Sequence, residues 1–267
     1  MNPSKSVTQS LLRLVLSLFL LAPLGLFIIY AFSERWFFPA PFPTTWTLDA
    51  LPRTFHNPRL ISGLRDSLTI AFSISFISLF LGFPAARALG LRRFSGYNLV
   101  WLIVFLPTIV PPLAIGMGLN VLFLRIGLAG SILGVILAHL IPALPYVILT
   151  LAAAFARFDE NYEFQSLVLG ASPLRTFFMV TLPLMAPSIL VAALFAFLIS
   201  WSQYLLTLLI GSGRIITLPI LLFSAASGGN PVTISVLALI FITPPLIVIA
   251  ITANQLHQHG LEVREQY

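Results

Sequence analysis

The side chains that are best suited to chemistry lie inside long apolar runs, where polar groups are scarce. His139 lies midway along one run and Ser200 lies in another. A serine and a histidine that meet in an apolar environment can support hydrolysis, so a membrane-embedded enzyme that uses His139 is one interpretation. The chain has no Gly-x-Ser-x-Gly elbow, no His-Glu-x-x-His zinc pair and no Gly-x-x-x-x-Gly-Lys phosphate loop. We therefore expect no catalytic residue, no metal site and no bound cofactor in this chain.

The composition places these residues in a polytopic membrane protein. Hydrophobic residues make up 58% of the 267 positions and charged residues only 8%, whereas soluble proteins carry about a quarter charged residues. The net charge of +6 comes from scattered arginines, which argues against nucleic-acid binding. The absence of cysteine excludes disulfides, iron–sulfur clusters and thiol chemistry.

Six apolar runs are long enough to cross a hydrocarbon core of about 30 Å. Lys5 and Arg13 precede the first run, which indicates a cytoplasmic amino terminus. Residues 211–231 are too short of apolar residues to cross, so they predict an interfacial or re-entrant piece. We predict an all-α protein with spans at 14–32, 68–86, 99–124, 131–156, 188–210 and 233–253, an external loop at 33–66 and a cytoplasmic loop at 157–187.

The cytoplasmic loop carries charge where its neighbours carry none, and it predicts two short helices with a hinge. Gly170 can end the first helix in a left-handed conformation. Ser172 before Pro173 is a cap residue followed by a proline in the first helical turn. Pro183 and Pro187 are then expected to end the second helix.

The segment LGASPLRTFFMVTLPLMAPSI in this loop resembles the EAA loop of the membrane subunits of binding-protein-dependent ABC importers. That pattern is Glu-Ala-Ala, three residues, Gly, nine residues, then Ile or Val, any residue and Leu-Pro. The Glu-Ala-Ala part is degraded, because Phe164, Gln165 and Ser166 occupy its places and Glu163 comes one position early. The matching positions are Leu169, Gly170, Ala171, Ser172, Phe177, Val180, Leu182 and Pro183.

The resemblance implies a type I importer permease with six spans, similar in layout to the polyamine-type branch. Its implied partners are two ATPase subunits that bind ATP and Mg²⁺, a second homologous or identical permease, an external solute-binding protein and the lipid of a bacterial inner membrane. The first short helix of the loop is implied to dock in a groove of the ATPase.

Because Phe164 stands where the family has a glutamate, we expect docking here to depend on apolar burial. Phe164, Leu167 and Val168 fall on one face at helical spacing. We expect Glu163 to be a screened charge at the rim of that contact. The alternative is that Phe164 packs against helices of its own chain.

The resemblance also implies that the fifth span lines the solute path. Packing between helices is the alternative for each candidate residue. The predicted spans contain no Asp, Glu, Lys or Arg, which weakens a further alternative, an ion-coupled secondary carrier. The candidates for the path are Gln203, Ser200, Trp201, Asn120 and His139.

The predicted topology can be tested with reporter fusions. A reporter placed after Arg93 or near Gly170 should be cytoplasmic, and one placed near Asp49 should be external. A cytoplasmic reporter signal at Asp49 would contradict both the six-span arrangement and the cytoplasmic position of the loop.

Overall fold

The computed structural model describes residues 3–34, 36 and 40–265, with side chains for 11–19, 21–34, 36 and 40–257. This part of the chain is helical apart from turns and one isolated antiparallel bridge between Ser33 and Trp46, as the prediction of an all-α protein requires. It forms two compact units, Met1–Ile61 with Leu221–Pro244 and Ser62–Ile220 with Pro245–Tyr267. The helices are α1 (Pro3–Ala31), α2 (Ala50–Phe55), α3 (Pro58–Leu91), α4 (Tyr97–Ile109), α5 (Pro112–Arg125), α6 (Ile132–Phe155), α7 (Asn161–Val168), α8 (Pro173–Thr176), a π-helical turn (Phe177–Thr181), α9 (Leu182–Trp201), α10 (Leu205–Gly211), α11 (Leu218–Gly228) and α12 (Pro231–Glu265).

In the part of the chain that the structure describes, the six predicted spans fall on four long helices and two bent pairs. By length and composition, α3, α6, α12 and the continuous helical segment Pro173–Trp201 can each cross a membrane. Helix α1 is bent by 42° between Leu11–Phe19 and Leu21–Ala31. Helices α4 and α5 form the second bent pair.

The bend between α4 and α5 measures 96° and interrupts the predicted span at 99–124. Val110 has a ψ of 132° and Pro111 a ψ of 131°, so both are extended. Each of them precedes a proline, and the ring of a following proline disfavours the helical conformation. The two consecutive prolines therefore produce a sharp corner in a run that composition alone presents as continuous.

Two other prolines do not end a helix, contrary to the prediction for Pro183 and Pro187. Helix α8 continues through the π-helical turn into α9, and Pro187 lies inside α9. In an ordinary helix, the ring of Pro183 would clash with the carbonyl four residues before it. The turn that precedes Pro183 is wider, because the N–H of Leu182 bonds to the carbonyl of Phe177, five residues back. We infer that this wider turn lets the helix pass through Pro183.

Short helices occupy parts of the predicted external loop, of the piece between residues 211 and 231, and of the predicted fifth span. Within the predicted external loop 33–66, α2 forms at Ala50–Phe55 and α3 already begins at Pro58. The predicted short piece between residues 211 and 231 is α11, an apolar helix of 11 residues. The predicted span at 188–210 also divides, because α9 ends at Trp201 and α10 starts at Leu205.

Helix α6 is the centre of the second unit. Its N-terminus is capped by Ser131, whose hydroxyl accepts from the N–H of Gly134. Its buried side chains pack with buried apolar residues of α3, α5, α9 and α10 in one core. The core includes Ile70 and Ile74 of α3, Val135, Ala138, Val147, Leu151 and Phe155 of α6, Met185, Ala192 and Ala196 of α9, and Leu206 and Ile210 of α10.

Two glycines allow α3 to lie close against α6. A Cβ atom on Gly82 would come within 2.8 Å of Cγ1 of Val147. On Gly90, a Cβ atom would lie 2.5 Å from Cβ of Phe155 and 2.7 Å from the carbonyl oxygen of Ala152. The second contact involves backbone, so neither helix can yield by turning a side chain.

We therefore predict that Gly90→Ala lowers the apparent melting temperature of the detergent-solubilised protein. Overpacking of this kind typically costs about 1–3 kcal/mol. Gly118→Ala is the matched control, since Gly118 lies inside α5 with open space around its Cβ position. An alanine there should be neutral or stabilising by up to about 1 kcal/mol. Equal melting temperatures for the two variants would contradict the close approach.

Candidate functional site

The loop between α6 and α9 has the local structure that its sequence predicts. Helix α7 ends before Gly170, whose φ of +88° is the left-handed conformation expected of a helix stop. The side chain of Ser172 accepts a hydrogen bond from the N–H of Arg175, and Pro173 begins α8. The first short helix and the hinge at Gly170 agree with the prediction, whereas the second helix is not short, because α8 continues into α9.

Glu163 points into the protein, which corrects our expectation of a charge at the rim of an interface. Only 8% of the residue is exposed. Its carboxylate accepts two hydrogen bonds from the guanidinium of Arg87 in α3, at 2.8 and 2.6 Å. The hydroxyl of Thr181 in the π-helical turn donates a third at 2.5 Å. Glu163 is therefore bound within its own chain.

These contacts change the titration of Glu163. Burial alone would raise the pKa of this carboxyl, but the hydrogen bonds from Arg87 and Thr181 and the positive charge of Arg87 outweigh burial, and the pKa falls below its ordinary value of 4.5. A lowered pKa means that the folded state favours the charged form. The stabilisation is therefore complete above the unfolded pKa and is lost as the pH falls through the folded pKa.

The apolar residues of α7 are exposed instead. The exposed fraction is 55% for Phe164, 41% for Leu167 and 86% for Val168. Phe164 therefore does not pack against helices of its own chain in the way that the alternative required. A cavity of about 520 Å³ beside this face is lined by Asp159, Asn161, Phe164, Gln165, Val168 and Leu169.

The other residues of the predicted docking loop differ in exposure. Ser166 is half-buried, and its hydroxyl lies 3.1 Å from that of Thr176. Ala171 and Leu182 are also half-buried, whereas Pro183 is exposed. Gln165 and Ser172 are exposed as well. The exposed docking candidates therefore lie mainly on α7.

His139 is buried between helices, with only 1% of its surface exposed. Its Nδ1 lies 3.0 Å from the hydroxyl of Ser200 in α9, and its Nε2 lies 2.9 Å from the hydroxyl of Thr207 in α10. The Thr207 hydroxyl donates to the carbonyl of Gln203 at 3.0 Å, so it must accept from Nε2–H. For a neutral imidazole, Nδ1 then accepts from Ser200. His139 thus holds α9 and α10 on either side of their break.

The remaining candidates for the solute path do not form one open surface with His139. Trp201 is buried and stacks on Phe197, with ring centroids 5.6 Å apart. The side-chain amide of Asn120 donates to the carbonyl of Leu209 at 2.6 Å. Gln203 lies half-buried in the break between α9 and α10. A role for these residues in the path stays a prediction, whereas their packing contacts are observed.

The residues that sequence reasoning missed are Arg87, Thr181 and Thr207. The sequence patterns assign no role to Arg87, although an arginine at the end of a span can pair with a loop carboxylate. Thr181 occupies the unspecified position of the loop pattern, so the pattern assigned it no role. No local signal marks Thr207 as a partner of His139.

A model of the family described as "binding-protein-dependent transport system inner membrane component" matches residues 78–263 of this chain. The chain belongs to this family. The molybdate/tungstate transport system permease WtpB of Pyrococcus abyssi is 35% identical over 185 residues, which cover 67% of this chain and 72% of that protein. The putrescine transport system permease PotI of Escherichia coli K12 is 30% identical over 242 residues, which cover 84% of each chain.

The fold is also that of a solved importer. A bacterial ABC transporter involved in the import of the acidic polysaccharide alginate matches with a TM-score of 0.75 at 16% identity, over 94% of this chain and 96% of that one. The alginate transporter in complex with a pentasaccharide-bound periplasmic protein matches with a TM-score of 0.63 at 17% identity, over 94% and 93%. This protein is accordingly a permease of a binding-protein-dependent ABC importer.

In this permease, replacement of His139 tests the packing of the divided fifth span. We expect His139→Leu to lower the apparent melting temperature, because an unsatisfied buried polar group costs about 1–3 kcal/mol and Ser200 and Thr207 would both lose a partner. Thr150→Val is the control, since the Thr150 hydroxyl donates to the carbonyl of Tyr146 in its own helix and does not join two helices among the described residues. An unchanged melting temperature for His139→Leu would contradict the bridging role.

Proposed function

We propose that this permease passes a small solute, delivered by an extracytoplasmic binding protein, across a bacterial inner membrane. Two ATPase subunits would dock from the cytoplasm and carry ATP and Mg²⁺, and a second permease, homologous or identical, would complete the path. The amino terminus would lie in the cytoplasm. Family membership supports this assembly, as does the alginate transporter, which was crystallised with its periplasmic protein.

The exposed apolar face of α7 is the observation that carries the docking part of the proposal. Phe164, Leu167 and Val168 are accessible on a short helix, while Glu163 on the same helix is held inward. Contiguous exposed apolar side chains are typical of interaction surfaces. We assign this face, rather than a polar contact of Glu163, to the groove of the ATPase.

The proposed cycle follows from a docking loop in each permease subunit. Closure of the ATPases on ATP would bring the two α7 helices together and turn the path towards the outside, where the binding protein releases its solute. Hydrolysis would separate the ATPases and return the path to the cytoplasmic side. This chain supplies the moving surfaces and the path, and the partner subunits supply the hydrolysis.

Solute specificity is assigned to the binding protein. Two similar permeases serve chemically opposite solutes, since molybdate and tungstate are oxyanions and putrescine is a cation at neutral pH. The predicted spans also contain no carboxylate that could bind a polyamine. We therefore propose that this subunit passes its solute without binding it tightly.

The docking face is tested by Phe164→Ala. Burial of a phenylalanine side chain is worth roughly 1.5–3 kcal/mol, and a few such anchors usually dominate an interface. At about 1.4 kcal/mol per factor of ten, the affinity for the ATPase should fall about 10- to 100-fold. The measurement is a pull-down of the ATPase by detergent-solubilised permease across a range of ATPase concentrations.

Phe80→Ala is the matched control, because Phe80 is also exposed, at 73%, but lies in the middle of α3. It should retain the ATPase at the affinity of the unaltered protein. Full retention of the ATPase by Phe164→Ala would rule out the apolar anchor.

A further inference from the structure

The guanidinium of Arg87 lies where four elements of the fold meet. It belongs to α3 and forms the two short hydrogen bonds to Glu163 of α7. It also stands over the ring of Phe155 in α6, 6.0 Å from the centroid. Through the carboxylate of Glu163 it is linked to Thr181 in the π-helical turn that leads into α9. A single ion pair therefore connects the docking helix to three other elements.

The elements around this ion pair are packed tightly. Phe83 of α3 makes edge contacts with Phe155 of α6 and with Phe177 of the π-helical turn, at centroid distances of 5.2 and 5.6 Å. Gly90, one turn beyond Arg87, brings the backbones of α3 and α6 together. The parts that Arg87 and Glu163 connect are thus already one packed body, and α7 is the element attached to it.

The geometry of the pair suits a rigid attachment. A guanidinium that bonds both oxygens of a carboxylate fixes orientation as well as distance. The Glu163 side chain is 11% exposed, so parting the pair would leave a charge in surroundings that exclude most water. A second pair joins Arg92, just after the end of α3, to Glu160, just before the start of α7, at 3.0 Å. It is far more open, because the Arg92 side chain is 68% exposed. Exposed pairs of this kind contribute little to stability.

We propose that Arg87 and Glu163 are positioning residues that lock α7 to the end of α3. Displacement of α7 by a docked ATPase then moves α3, the end of α6 and the start of α9 together. This inference rests on the proposed docking of α7. It assigns Glu163 to transmission inside the permease and leaves attachment to the ATPase with Phe164 and its neighbours.

The test measures a distance within the assembled transporter. The chain has no cysteine, so Ala88→Cys in α3 and Tyr162→Cys in α7, both at exposed positions outside the cavity beside Phe164, can carry a pair of spin labels. The labelled chain is diluted with unlabelled chain, assembled with its partner subunits in lipid, and compared without nucleotide and after trapping with ATP and vanadate. With the ion pair intact, the distance between the labels should be the same in both states. With Glu163→Gln, it should shift or broaden on trapping.

Glu160→Gln is the matched control, because it removes a carboxylate that pairs with Arg92 at an open site between the end of α3 and the start of α7. It should leave the distance unchanged in both states. Arg87→Gln should reproduce the effect of Glu163→Gln from the other side of the pair, and Thr181→Val should give a smaller one. A change of several ångströms on trapping with the pair intact would overturn the inference, as would an unchanged distance in both Glu163→Gln and Arg87→Gln.

Attachment of the ATPase separates this inference from the proposed docking face. Glu163→Gln should retain the ATPase in the pull-down, whereas Phe164→Ala should lose it. Loss of the ATPase with Glu163→Gln, while the label distance stays constant, would assign Glu163 to the ATPase contact and refute its transmission role. Retention of the ATPase by Phe164→Ala would contradict the docking face and leave the distance test of the ion pair intact.

Discussion

A break in a helix inside an apolar protein leaves backbone N–H and C=O groups without partners, and this permease satisfies several of them with side chains from distant helices. Asn120 in α5 donates to the carbonyl of Leu209 in α10. The hydroxyl of Ser67 in α3 accepts from the N–H of Leu218, the first residue of α11. An unsatisfied backbone group in hydrocarbon costs several kcal/mol, so irregular backbone is tolerated only where such partners exist. Asn120 and Ser67 therefore stabilise helix ends that lie far from them in the sequence.

This constraint also explains why polarity inside a span is an ambiguous signal for function. Ser200 and His139 lie in apolar runs, and their residue types and positions are equally compatible with hydrolysis, with a solute path and with helix packing. In the structure their polar atoms bond to each other and to Thr207 at the break between α9 and α10. The bonding capacity that could have served a substrate is used within the protein.

The features that the sequence predicted correctly depend on neighbouring residues. The positive φ of Gly170, the cap at Ser172 and the start of α8 at Pro173 follow from conformational preferences within a few positions. The all-α membrane fold follows from composition over the whole chain. The apolar face of α7 follows from helical spacing, and the exposed side chains of Phe164 and Val168 agree with it.

The features that the sequence did not predict depend on distant residues or on variation in helix geometry. Glu163 and Arg87 are separated by 76 positions, and nothing near Glu163 indicates that its charge is compensated inside the protein. Pro183 is a helix breaker by local rules, but the helix continues through it after a turn closed by a bond to the fifth preceding residue. The corner between α4 and α5 is the reverse case. There, prolines interrupt an apolar run that is long enough to be predicted as one continuous span.

The π-helical turn at Phe177–Thr181 also has a consequence for the way in which α9 faces its neighbours. A turn closed by a bond to the fifth preceding residue holds about one residue more than an ordinary helical turn, and one residue of helix corresponds to a rotation of roughly 100°. Removing a single residue from this turn would therefore rotate the loop by about a quarter of a circle relative to α9. Either Thr181 would then no longer face the carboxylate of Glu163, or the buried face of α9 would no longer face its neighbouring helices. The number of residues in this turn, independently of their chemistry, thus sets the angular register between the cytoplasmic loop and the helix that follows it.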